Sequence, residues 1–140
     1  PFEVAHARAT IALCADMEEQ IAGLEPADRS AFLDDLGVKE PARDRLIHVC
    51  YDALGLISFL TTGEDEVRAW SIRKNTNAVE AAGKIHTDLA RGFIRAETVA
   101  FEDLKAAGDM KAAKAAGKVR LEGKHYIVQD GDVINIKFNV

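Results

Sequence analysis

The sequence is poor in features that place a protein quickly. It has two cysteines, three prolines and one tryptophan in 140 residues. Cys14 and Cys50 form no Cys-x-x-Cys pattern, and four scattered histidines lack zinc-ligand spacing, so a zinc scaffold is not indicated. Both cysteines sit in apolar surroundings and read as reduced, buried thiols of a cytoplasmic protein. No apolar run reaches about 18 residues and no charged-then-apolar leader is present, so neither a membrane span nor export is indicated. No Gly-x-x-x-x-Gly-Lys-Ser/Thr occurs. Without a loop of backbone amides and a lysine to cradle phosphates, the chain is expected not to hydrolyse ATP or GTP.

What is present is an ordinary globular composition. The chain is 48% hydrophobic, too much for a disordered segment. Its length suits one domain, or a small domain with an appendage. It opens on Pro1 instead of Met, which reads as a fragment or a processed chain. The net charge of −5 is unevenly spread. Residues 1–55 carry five Lys/Arg against eleven Asp/Glu, and residues 56–140 carry thirteen against twelve. Only the second part can offer a polyanion a favourable face, and only if its cations share one.

Taken in order, Thr10–Cys14 reads as a buried strand end. Met17, Ile21 and Leu24 then recur at helical spacing, with Asp16 as the expected cap. Pro26 opens a second helix with Phe32, Leu33 and Leu36 inward, and Gly37 stops it. Pro41 opens a third, with Leu46, Ile47, Cys50 and Leu54 as its buried stripe. One strand and three helices are not a self-sufficient domain. Leu56–Thr61 and Glu66–Lys74 are β-rich runs joined at Gly63-Glu64-Asp65, which reads as a hairpin. Asn75-Thr-Asn77 caps a short helix, Ala78–Ile85, and Phe93–Phe101 returns as a strand. Glu102–Ala107 and Asp109–Ala116 are short helices. Lys118–Gly123 and Lys124–Val128 read as a hairpin, Asp130-Gly-Asp132 as a turn, and Val133–Asn139 as the closing strand.

Several runs resemble the C-terminal third of the YchF subfamily of Obg-like ATPases, P-loop proteins of the translation-factor class. They are Glu66-Val-Arg-Ala-Trp-Ser-Ile-Arg-Lys74, Ala81-Ala-Gly-Lys-Ile-His-Thr-Asp88, Arg91-Gly-Phe-Ile-Arg-Ala-Glu97 and Gly117-Lys-Val-Arg-Leu-Glu-Gly123. The closing Val128-Gln-Asp-Gly-Asp-Val-Ile134 and Phe138-Asn-Val140 continue the match collinearly. The resemblance implies an α+β fold: a TGS domain, a ubiquitin-like β-grasp mixed sheet around a helix, over 56–140. Residues 1–55 resemble the end of the same family's nucleotide-binding (G) domain, a helical remnant of a P-loop α/β domain. Cys14-Ala15-Asp16, with Met17, would be the remnant of its base-contacting loop. The family pattern has serine first and a basic third residue there. ATP or GTP with Mg²⁺ belongs to the full-length family, and no cofactor is expected in this chain.

The implied partners are RNA or the ribosome, and the chain's own missing ATPase domain. The residues expected to carry RNA or partner binding are Arg68, Arg73, Lys74, Lys84, His86, Arg91 and Arg95, since guanidiniums hold phosphates bidentately. Strand alternation puts Arg68 with Trp70 and Lys74, and Arg73 on the opposite face. The competing reading of each is an ordinary solvated charge paired to Glu64, Glu66 or Glu97. His86 with Asp88 reads as a turn-fixing pair instead of an acid–base couple. Trp70 reads as core-edge packing instead of a base-stacking platform. Asn77-Ala-Val-Glu80 matches the family's adenine motif in form but lies far downstream of its place, and reads as a helix cap. Asp130 and Asp132 read as turn residues, not metal ligands. A ubiquitin-like carrier would need a C-terminal Gly-Gly, which Phe138-Asn-Val140 is not. A purely intramolecular role on the ATPase domain is the alternative to RNA binding. The Ile47/Leu54 face predicts weak homodimerisation.

Overall fold

The computed structural model describes residues 7–63 and 66–139. The chain divides into two compact units, Pro1–Leu54 and Gly55–Val140.

In the first unit, residues 7–14 are neither helix nor strand and are mostly exposed, which corrects the buried strand expected at Thr10–Cys14. A strand needs a neighbour for its N–H and C=O groups, and the described residues of this unit include no strand. Instead Arg45 Nη2 donates to the Ala12 carbonyl at 2.8 Å. Helix α1 spans Ala15–Gly23, so Asp16 lies inside its first turn. Asp16 does not cap the helix; its carboxylate accepts from Gln20 Nε2 one turn on, at 2.9 Å. Helix α2, Pro26–Asp35, begins on its proline, and Gly37 (φ 65°) ends the turn beyond it. Helix α3, Ala42–Leu54, is capped from a distance: both Glu18 oxygens accept from Ala42 N at 3.0 Å. That carboxylate also suits the positive end of the α3 dipole. The core of this unit is small, with Ile21, Leu33 and Ala42 buried. The stripe expected to be buried on α3 is exposed, with Leu46, Ile47 and Leu54 at 43%, 49% and 53%. Cys14 and Cys50 are also exposed free thiols, not buried ones.

The second unit is a five-stranded mixed sheet. Its strands are β1 (Leu56–Thr62), β2 (Val67–Arg73), β3 (Phe93–Ala100), β4 (Arg120–Glu122) and β5 (Asp132–Phe138). Their order is β2-β1-β5-β3-β4. β1 and β5 are parallel, and the other neighbours are antiparallel. One face packs on helix α4 (Ala78–Ile85), whose Ala78, Ala81 and Ala82 are small enough to let it sit close. Ile57, Phe59, Ile72 and Ile134 meet it from the sheet. On the other face Val99 and Val133 are covered by α6 (Phe101–Ala107) and α7 (Met110–Ala115) through Leu104, Met110 and Ala113. This is the β-grasp arrangement that the resemblance implied. Asn77 caps α4, its Oδ1 accepting from Glu80 N at 3.0 Å, so the Asn-x-x-Glu form is a cap.

Two local expectations differ. A one-turn helix, α5 (Thr87–Arg91), precedes β3, with His86 Nδ1 accepting from Asp88 N at 3.2 Å to start it. The expected hairpin of 118–123 with 124–128 does not form. β4 pairs with β3, while the returning segment turns its backbone to the start of α4. Ala78 N donates to Tyr126 O at 2.8 Å, and Val128 N to Thr76 O at 3.1 Å. The reason lies in Asp132. It is 2% exposed, and its Oδ2 accepts from Tyr126 Oη at 2.7 Å and Gln129 N at 2.9 Å. Asp132 is thus the anchor of this segment and not merely a turn residue.

Candidate functional site

The sheet directions decide which cations meet. β2 begins where β1 ends, at the pair Thr62↔Val67. β5 runs parallel to β1 and ends on that side, and β3 begins there, at Phe93↔Phe138. The C-terminal residue of α4, Ile85, reaches the same end, because it lines one cavity with Thr61, Thr62 and Ile136. Arg68, Lys84, His86 and Arg91 therefore lie at one end of the module on its α4 side, and Arg95 lies at the same end on the opposite face of the sheet, because its neighbour Ala96 packs on the α4 side. Arg73, the last residue of β2, and Lys74 lie at the opposite end. Lys74 is past the strand, its N–H donating to Gly55 O at 2.8 Å, so it does not continue the Arg68–Trp70 face.

The cations at the gathered end differ in freedom. The Arg68 guanidinium lies 4.2 Å over the Trp70 ring and 3.9 Å from Glu66. Trp70 stacks on Phe59 at 6.5 Å and donates Nε1 to Thr61 Oγ1 at 3.0 Å, which makes it a core-edge residue. Arg91 pairs with Asp88, whose carboxylate also lies 3.5 Å from His86 Nδ1. Lys84 and Arg95 are exposed and have no carboxylate partner among the described residues. Arg95 sits directly across the ladder from Lys137, a like-charge pair that an anion would relieve. Lys137 was not singled out in the sequence; its place becomes visible only through the β3–β5 register. Glu97 answers part of this charge, lying 3.0 Å from Lys114 Nζ and 3.5 Å from Lys137 Nζ. The hydrogen bond from Lys114 is the main cause holding its carboxyl below the usual range.

A cluster that sequence reasoning missed lies on the α4 face of the sheet. Arg120 Nη2 donates to Tyr126 Oη at 2.9 Å and reaches Asp132 Oδ1 at 3.4 Å, while its Nε meets Glu122 at 3.0 Å. Burial, and then the hydrogen bond to Asp132, push the Tyr126 phenol up to about 12. The Tyr126 hydroxyl and both Asp132 oxygens are occupied by the fold itself, so the cluster is structural. The one signal in sequence was an acidic residue opening a strand.

The Cys14–Met17 segment lies beside acidic side chains that disfavour an anion. Cys14, Met17, Ile21 and Val38 line a cavity of about 310 Å³. The first turn of α1 beside it carries Asp16 and Glu18, which repel phosphate at the helix end that would otherwise attract it. Arg45, the cation at this cavity, is committed to Ala12 O. Among the described residues no group of three His, Cys, Asp or Glu could hold a metal, and no helix is long and apolar enough to cross a membrane.

The family model YchF-GTPase_C, described as "Protein of unknown function (DUF933)", matches residues 56–139. The chain belongs to the YchF family. It is 57% identical over 130 residues to "Ribosome-binding ATPase YchF" of Bacillus subtilis, covering 93% of this chain and 36% of that protein. It is 48% identical to the protein of the same name from Escherichia coli O157:H7, with the same coverage. The "Structure of the Schizosaccharomyces pombe YchF GTPase" superposes with a TM-score of 0.70 at 37% identity, covering 86% of this chain and 32% of that one. The chain thus spans about a third of the length of the YchF relatives it matches.

Proposed function

We propose that this chain is the C-terminal module of a ribosome-associated, nucleotide-hydrolysing YchF protein of the cytoplasm. In this reading it binds RNA through the cationic end of its sheet and hydrolyses no nucleotide by itself. The observation that carries the reading is the topology. Strand direction and the α4–α5 connection bring Arg68, Lys84 and Arg91 to one end on the α4 side, with Arg95 and Lys137 at the same end on the other face. Several guanidinium and ammonium groups at one end suit a phosphate backbone, which fixes position without reading sequence. A net charge near zero over residues 56–140 leaves attraction to this local patch and not to the whole module.

Co-sedimentation with ribosomes tests it. The wild-type chain is expected to pellet with ribosomes at low salt. Arg91→Ala/Arg95→Ala should remain in the supernatant, and Arg73→Ala, at the far end, should pellet as wild type does. Equal loss for both variants, or no pelleting by the wild type, would contradict the reading.

The exposed apolar residues of α3 favour a second role beside the first: packing against another part of the longer protein. Adding the separately expressed ATPase portion, with Leu46, Ile47 and Leu54 protected from labelling or not, decides it.

A further inference from the structure

The sheet face turned away from α4 is only partly covered by the described residues. Val99 and Val133 lie under α6 and α7. Alternate residues of a strand share a face, so Arg95 and Glu97 on β3 lie on this side, as do Asn135 and Lys137 on β5. The ladder fixes their neighbours. Arg95 is opposite Lys137, and Glu97 is opposite Asn135 on one flank and Leu121 of β4 on the other. Past the two valines this half of the face is open: Arg95, Leu121, Asn135 and Lys137 are all exposed. Helix α7 borders it, since Lys114, next to the buried Ala113, reaches Glu97. Lys111 stands one turn earlier on the same helix, about 5–6 Å away at Cβ.

The charges on this face are unbalanced. One oxygen of Glu97 lies 3.0 Å from Lys114 Nζ and 3.5 Å from Lys137 Nζ. Two ammonium groups that converge on one carboxylate oxygen can converge on one phosphate oxygen. Arg95 and Lys111 have no carboxylate partner among the described residues. Four cations thus stand against one carboxylate. The acids of α6 and α7 do not redress this. Asp103 meets Lys118, Asp109 caps α7 at the end away from Lys114, and Glu102 follows the far end of β3. On the α4 side the balance differs: Arg68 and Arg91 are answered by Glu66 and Asp88, and Lys84 is not answered. The open face also carries no ring from β3, β4 or β5, because Phe93 and Phe138 belong to the α4 side. Such a surface serves neither a stacked base nor an aromatic protein anchor. It suits a sugar-phosphate backbone.

Resting on the RNA-binding reading above, we infer that RNA is held on the sheet face turned away from α4, with its phosphates gripped by Arg95, Lys111, Lys114 and Lys137, and that Glu97 is a built-in competitor for two of these lysines. As RNA binds, its phosphates take Lys114 and Lys137 over from the carboxylate. The cations of the α4 side then contribute little, and the loss expected of Arg91→Ala/Arg95→Ala is carried by Arg95. Contact through phosphates fixes the RNA without reading its sequence.

The test uses the whole chain, two blunt RNA duplexes of unrelated sequence and, as a stand-in for an acidic protein, a polyglutamate peptide. Arg95→Ala/Lys137→Ala removes two exposed cations; it should weaken duplex binding about tenfold and make the salt slope shallower by roughly 1.4–1.8. Lys84→Ala/Arg91→Ala should stay within about twofold of wild type. Glu97→Gln removes the competitor and should tighten binding about threefold, a gain that a misfolded chain cannot give. The Glu97 carboxyl, held low chiefly by the Lys114 hydrogen bond, should titrate higher by carbon NMR when the duplex is bound. The two duplexes should bind alike. A loss confined to Lys84→Ala/Arg91→Ala, or equal for the two pairs, overturns the choice of face and leaves RNA binding standing. Glu97→Gln binding no tighter than wild type overturns the competition. A preference of about tenfold or more for one duplex overturns contact through the backbone alone. Binding of polyglutamate and of neither duplex overturns RNA as the occupant in favour of an acidic protein. A chain that binds no probe overturns both readings.

Discussion

Replacing Asp132 with alanine is the most informative perturbation of the fold. The carboxylate is 2% exposed and accepts from Tyr126 Oη at 2.7 Å, Gln129 N at 2.9 Å and Arg120 Nη2 at 3.4 Å. Hydrogen bonds to a charged group each contribute about 1.5–3 kcal/mol, and breaking a fully buried ion pair costs about 3–5 kcal/mol. Part of that loss is recovered here. The Arg120 side chain is 45% exposed, and it keeps Glu122 and the phenol as partners. We therefore expect a loss of about 3 kcal/mol. For a module of the size of residues 55–140 that lowers Tm by roughly 12–24 °C. Because the segment 123–129 has one isolated bridge, Asn77↔Ile127, its amides should exchange fastest in the variant. A titration supplies an independent check. The Tyr126 pKa is raised in the fold, so its contribution is present below the ordinary tyrosine range near 10 and is lost as pH rises through about 12. Removing Asp132 should lower the tyrosine transition seen by ultraviolet absorption. A stability loss under about 1 kcal/mol, with the phenol titration unmoved, would refute the view that Asp132 organises this end of the sheet.

Three further outcomes follow from contacts on the same scale. Gly92→Ala places a Cβ 2.1 Å from the Asn139 carbonyl oxygen, so the end of β5 must move away; denaturation should show a loss of about 1–3 kcal/mol, with early exchange at Asn139. Glu97 is held below the usual carboxylate range chiefly by Lys114, so its stabilisation is present above the ordinary value near 4.3 and is lost as pH falls through the depressed one; Lys114→Ala should raise its pKa by carbon NMR. The exposed Leu46, Ile47 and Leu54 on α3 predict concentration-dependent self-association that Ile47→Lys removes, and light scattering that finds only monomer across a wide concentration range rejects it.

Much of the second unit was legible because its local signals agree with its packing. β1 and β2 alternate and turn at Gly63; Asn77 and Gly92 bound the α4–α5 segment, and Ile134 and Ile136 of β5 share the α4 face. Where sequence reasoning failed, a longer-range partner had won. Lys124–Val128 has strand-like residues, but Asp132 and the start of α4 take its hydrogen-bonding groups, and no local pattern announces that. Residues 10–14 have strand-like composition, but the described residues of the first unit offer no strand to pair with. The α3 stripe has a helical period, which reports a face suited to burial but not whether a cover is present. For the site, types and positions of the cations were readable. Their division between two ends of the sheet was not, because it depends on strand order and direction. The place of Lys137 required the register itself.

The most direct test of the central claim is the salt dependence of binding to a structured ribosomal RNA fragment, for the wild-type chain and for Arg91→Ala/Arg95→Ala. Each lost phosphate contact removes about 0.7–0.9 from the slope of log affinity against log salt. The account predicts a wild-type affinity that falls steeply with salt and a variant slope shallower by roughly 1–2. Equal slopes, or binding indifferent to salt, would contradict a module that holds RNA by the cationic end of its sheet.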